Sequence, residues 1–163
     1  MQKVYFNRII IFQWLIIFSI PLLLIACGTP NVEWNLTISN EVNSPTTFTF
    51  DDLSNMAFVD LDDIMMERSH GEDEVRSFSG VLIEELLALA DAPDDFSTIT
   101  AIAADGYAIE ISRNEMENGI VALKQGGKWI ANVDPDEGPI RMVFPDTPAD
   151  RWVFQVTEIV VNP

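Results

Sequence analysis

From residue 34 onward the sequence predicts an α+β domain, mostly β, with a mixed sheet and short helices. Three observations carry this reading. Short runs that alternate apolar with polar residues recur along the chain, separated by Gly, Asn, Asp or Pro. Only residues 81–90 keep the apolar spacing of a clear helix. Strands and helices do not alternate regularly, which argues against a doubly wound parallel sheet.

The elements follow in chain order. Trp34-Asn35-Leu36-Thr37-Ile38-Ser39 alternates in the manner of a half-buried strand. Residues 40–45 are turn chemistry, and Thr46-Thr47-Phe48-Thr49-Phe50 is β-rich, with Phe48 and Phe50 on one face. Asp51-Asp52-Leu53 opens a short helical turn, its acids placed where the helix dipole favours them. Residues 57–67 are ambiguous: Phe58, Val59, Leu61, Ile64 and Met65 stand among Asp60, Asp62, Asp63 and Glu67. Residues 68–74 read as an exposed loop and 75–79 as a strand. Gly80 introduces a helix over 81–90, in which Val81/Leu82, Glu85/Leu86 and Leu89/Ala90 recur, and Asp91-Ala92-Pro93 stops it. Residues 98–104, 107–111 and 120–124 read as strands, the first two joined by a hairpin turn at Asp105-Gly106. Residues 113–116 form one helical turn, and Gln125-Gly126-Gly127 turns the chain before residues 128–132. Residues 140–144 and 152–161 close the chain as apolar strands. No internal repeat or low-complexity tract is visible.

Residues 1–26 carry Lys3 and Arg8 and no acid, then an apolar run that ends in Leu24-Ile25-Ala26-Cys27. Charged, apolar and small residues in that order make a secretory signal. The run is close to the ~20 residues that a membrane span needs. The small residue and the cysteine at its end nevertheless resemble a bacterial lipoprotein signal. The expected organisation is a signal peptide over 1–26, a lipidated tether over 27–33 that begins at Cys27, and one globular domain over 34–163. The protein would then be extracytoplasmic, with the membrane as a partner through its lipid anchor, on either the cell membrane or the outer membrane.

The chain carries 26 acids against nine bases, a formal net charge of −17. Two of the bases lie in the leader, which leaves 26 acids against seven bases and a net of −19. That charge argues against nucleic acid and anionic lipid surfaces as partners. Cys27 is the one cysteine, so no disulfide forms within the chain and the domain relies on its apolar core.

Several segments line up in order: WNLTIS, FTFDDL, FSGVLIEELLALA, TAIAADGYAIEI, QGGKW, GPIRMVFP and RWVFQVTEIVV. Together they resemble the molybdopterin-binding domain of the sulfite oxidase type, over residues 34–161. The resemblance implies a mostly β domain with short helices. In catalytic members it also implies an oxo-molybdenum centre held by a pterin dithiolene and one protein cysteine, in the stretch before the aromatic-Gly-Val segment. The matching stretch here, residues 65–74, contains no cysteine. Ser69 is its nearest stand-in, and a hydroxyl is a much harder ligand than the thiolate such a metal takes.

By the same resemblance, Arg68, Ser69, His70 and Arg141 are the candidate cofactor-binding residues. Arg68 and His70 could hold an anion such as a pterin phosphate, although Glu72, Asp73 and Glu74 stand beside them. Arg141, in the GPIRM segment, is expected to be buried and paired with a carboxylate or with loop carbonyls. Tyr107 is expected in the core, with a pocket wall as the alternative, and Trp34, Trp129, Trp152 and Phe78 in the core or in pocket walls. The acidic stretches around Asp60–Glu67 and Asp134–Glu137 lack the ligand spacing of a calcium loop and read as charged surface. No nucleophile–base pair and no metal site is expected. The expected function is a non-catalytic module that binds a small ligand or an envelope protein. It carries no cofactor unless the resemblance extends to molybdopterin. The alternative is a molybdopterin-dependent oxidoreductase with an altered metal ligand.

Overall fold

The computed structural model describes residues 28–67 and 71–163. Two sheets share one apolar core. The first holds β2 (Thr46–Thr49), β1 (Asn35–Asn40), β11 (Val156–Asn162), β5 (Thr98–Ala103) and β6 (Ala108–Ser112), side by side in that order. β1 runs parallel to β11, with Ile38 opposite Ile159, while the other neighbours are antiparallel, so this sheet is mixed. The second sheet, antiparallel throughout, runs β10 (Val153–Phe154), β9 (Arg141–Val143), β7 (Ile120–Gln125), β4 (Glu74–Leu82) and β3 (Val59–Met66). β8 (Lys128–Trp129) also pairs with β7.

Four short helices and a 3₁₀ turn link the strands: α1 (Phe50–Ser54), α2 (Ile83–Leu89), α3 (Arg113–Met116), α4 (Ile130–Val133) and the turn at Ala149–Arg151. α1 and α3 begin with capping boxes, Thr49 with Asp52 and Ser112 with Glu115. α2 has no side-chain cap; its first backbone N–H, on Ile83, donates instead to the carbonyl of Gly119 at 3.0 Å. Leu36, Ile38, Ile99 and Ile159 of the first sheet share the core with Phe78, Val121, Leu123 and Met142 of the second, and with Leu86 of α2. The mostly β, mixed-sheet architecture read from the sequence is the one observed.

Local differences have physical causes. The ambiguous 57–67 stretch becomes β3, an edge strand with a bulge between Leu61 and Ile64. Asp60, Asp62 and Asp63 point to solvent, the charged dressing that keeps an edge from pairing with other chains. β4 runs past Gly80 to Leu82, so the helix begins two residues later than expected. Val81 and Leu82 suit both states, and pairing with Val121 and Ile120 of β7 decides for strand. Residues 128–132 divide between β8 and the start of α4. The single closing strand expected over 152–161 is two strands in different sheets. They part at Gln155, whose φ is 50° and whose N–H donates to the carbonyl of Ile140 at 3.0 Å. The Asp105-Gly106 turn forms as expected, with Gly106 at φ 87°, and the Gly126-Gly127 turn has both glycines at positive φ.

Candidate functional site

Arg141 sits in the middle of the second sheet, opposite Ala122 of β7 and Phe154 of β10. It is the one buried charged residue among those described, with no exposed surface. Its guanidinium lies 4.7 Å from the ring centre of Phe154 and 5.7 Å from that of Phe78. Nη1 donates to Gln125 Oε1 at 3.3 Å. Nη2 donates to Asp134 Oδ2 at 3.1 Å and pairs with Glu137 Oε2 at 3.3 Å. Nε alone has no acceptor among the described residues. Burial pushes this arginine below its ordinary pKa, while Asp134 and Glu137 push it back up; Arg76 nearby works in the same direction as burial. Arg76 also donates to Gln125 Oε1, at 3.2 Å, and is itself paired with Glu74 at 2.7 Å. A single glutamine carbonyl thus accepts from two arginines, and three carboxylates complete the network.

The carboxylates reach Arg141 because the 134–138 turn is held tightly. A Cβ on Gly138 would lie 2.8 Å from Ile130 Cγ2 and 3.0 Å from the carbonyl of Asp134, so only glycine lets the turn close on α4. The N–H of Glu137 donates to the carbonyl of Asp134, and Gln155 Nε2 donates to the carbonyl of Asp136 at 3.0 Å. The arginine was expected to be buried and paired, and it is. The acidic loop expected as plain charged surface instead sends two of its side chains inward.

Against this network lies a cavity of about 400 Å³. Asp105 and Tyr107 of the β5–β6 hairpin form one side, Asp136 and Glu137 another, and Asp150, Trp152 and Phe154 the rest. Glu137 and Phe154 both line the cavity and touch Arg141. Among the described residues, the cavity wall contains four carboxylates and no lysine, arginine or histidine. Tyr107 is 49 % exposed and belongs to this wall, which corrects its expected core packing in favour of the pocket alternative. Trp129, Trp152 and Phe78 are buried as expected, with Trp152 also lining the cavity. Trp34 is partly buried and borders a wider, open groove of about 730 Å³ near the tether, lined by Thr49, Asp51 and Thr157.

Arg68, Ser69, His70 and Cys27 lie outside the described residues. Glu67, just before the first three, accepts the N–H of Ala149 at 3.0 Å, and Ala149 lines the cavity. Gln125, Asp134, Glu137 and Phe154 were not foreseen as partners of Arg141. The spacing of Glu137 and Arg141, four apart but not helical, carries no contact signal, and Gln125 and Phe154 meet the arginine only through sheet pairing.

A family model described as the oxidoreductase molybdopterin binding domain matches residues 26–163. The chain belongs to this family. The crystal structure of the sulfane dehydrogenase SoxCD from Paracoccus pantotrophus is similar to it, with a TM-score of 0.67 and 19 % identity. The likeness covers 79 % of this chain and 38 % of that one, so the chain spans well under half the length of that relative. At this identity the likeness speaks for the fold. No curated protein matches the sequence.

The donor set decides how far a molybdopterin centre fits the described part of this family member. Molybdenum in such a centre takes soft sulfur ligands. Cys27 is the only cysteine in the chain, and it precedes the first strand. Among the described residues no three His, Cys, Asp or Glu side chains gather as they would around a metal ion. A pterin phosphate needs free N–H donors and a positive field. Arg141 has two of its three nitrogens already bonded, and the surrounding carboxylates outnumber the two arginines. The described residues do not fit the group, and no chemical step is derived through it.

Proposed function

We propose that the protein is a lipid-anchored, extracytoplasmic binding module built on the molybdopterin-domain fold, without redox chemistry of its own. The observation that carries this reading is the chemistry of the residues around Arg141. The described residues there offer carboxylates and aromatic rings, whereas a molybdenum centre needs a thiolate and anion donors. A ligand or envelope partner docks in the cavity between Tyr107, Trp152 and Phe154. The carboxylates of Asp105, Asp136, Glu137 and Asp150 favour neutral or cationic groups there over small anions. Cys27, at the end of a leader with the order of a secretory signal, supplies the anchor.

A second reading is an oxidoreductase whose metal ligand has changed, with Ser69 in place of the cysteine. It draws support from family membership. One measurement separates the two. The full chain is purified in detergent from cells able to make molybdopterin, then analysed for molybdenum and for pterin fluorescence. The binding-module reading expects neither above background. Stoichiometric molybdenum together with pterin overturns it in favour of the oxidoreductase.

A further inference from the structure

We infer that the Asp134–Glu137 turn is a built-in occupant of Arg141: an internal anion that closes this buried guanidinium to anionic groups from outside, a pterin phosphate included. A guanidinium is a fork of five N–H donors suited to carboxylate and phosphate oxygens, and one buried without partners is too costly to persist. Here the fork is filled by the chain itself. Asp134 and Glu137 both meet Nη2, Gln125 takes one N–H of Nη1, and Nε is the one nitrogen without a partner among the described residues. At least two of the five N–H groups, one on Nε and one on Nη1, are left over beside two aromatic rings; with the others taken, the fork is no open cradle for a phosphate, which needs several converging donors.

The arrangement is built rather than incidental. Gly138 allows the turn to close on Ile130, and Gln155 fastens its middle through the carbonyl of Asp136. Glu137 also faces the cavity, so an anion entering there meets a carboxylate before it meets the arginine. With both carboxylates neutralised, the local balance changes sign. Arg141 and Arg76 then face Glu74 alone among the groups of this network. The inference concerns Arg141 and goes beyond the binding-module reading, which stands or falls on metal and pterin content.

The test reads anion binding directly. The melting temperature of the full chain in detergent is followed against inorganic phosphate, with chloride of equal ionic strength as the control. The wild type is expected to show no phosphate-specific shift. The double variant Asp134→Asn, Glu137→Gln is expected to gain a rise in Tm with phosphate that saturates, with a smaller rise for Glu137→Gln alone. Adding Arg141→Met to Glu137→Gln should abolish it. A phosphate-specific rise in the wild type equal to that of the variants overturns the inference, and so does a folded double variant that stays flat. Should the double variant fail to fold, Glu137→Gln decides alone: its side chain is 43 % exposed, so the change is tolerable, and a flat response there is equally fatal. Because phosphate is the only probe, the result does not depend on whether molybdenum and pterin are found.

Discussion

Glu115 accepts the backbone N–H and the hydroxyl of Ser112 at 2.9 and 2.7 Å, and Arg151 reaches its other oxygen at 2.8 Å. These bonds favour the carboxylate, and the Ser112 backbone bond leads in holding the pKa below the usual glutamate value. The sign of the effect on stability follows. Above the ordinary value of about 4.3 the group is ionised both folded and unfolded, and the contribution is complete. As pH falls below that value the unfolded chain takes up the proton first, and the contribution disappears as pH passes through the lowered folded value. Ser112→Ala should therefore raise the Glu115 pKa toward the ordinary value in an NMR titration. It should also cost about 1 kcal/mol at neutral pH, the usual worth of an N-cap, and the part of that loss carried by the Glu115 charge should fade in acid. The capping pair was present in the sequence as Ser112-Arg113-Asn114-Glu115 and was read only as one helical turn. Arg141 shows the other limit of residue-scale reading. Its burial was expected from the family resemblance of the GPIRM segment, but its partners were not, because Gln125 and Phe154 reach it only across strands.

Gly80 carries the clearest lesson at the scale of elements. The sequence places it before a helix, as a breaker. In the fold it sits inside β4 at a register shift against β7, and a Cβ there would stand 2.0 Å from the carbonyl oxygen of Val121 and 2.6 Å from Ala122 Cα. Backbone cannot yield as a flexible side chain can. Gly80→Ala should cost about 3 kcal/mol, the upper end of overpacking effects, read as a lower denaturant midpoint for unfolding. A loss under about 0.5 kcal/mol would show that the two strands can part to admit a methyl group. The other element-scale surprises share one origin. β3, the extended β4 and the division at Gln155 were each decided by a neighbouring strand, and local propensity cannot foresee such a neighbour.

For the whole molecule, the parallel pairing of β1 with β11 ties the start of the domain to its end. Trp34 adds a bond from its Nε1 to the carbonyl of Val156 at 2.8 Å. The chain therefore enters the domain beside its last strand. One acyl chain binds a bilayer only marginally, whereas the diacylglycerol proposed on Cys27 would give a stable anchor. Cys27→Ser should move the protein from the membrane fraction to the soluble fraction or leave an unprocessed precursor; normal processing with retention on membranes would disprove the anchor. By itself the sequence determined the fold class, the acidity of the domain, the hairpin turns and the want of a thiolate beyond residue 27. These are properties of composition, local periodicity and turn chemistry, all carried by neighbouring residues. Only the tertiary structure decided that Asp134 and Glu137 turn inward, that Tyr107 stands at a cavity and that the last apolar run serves two sheets. Those outcomes depend on contacts between segments distant in sequence. A buried guanidinium draws to itself whichever carboxylates the fold brings within reach.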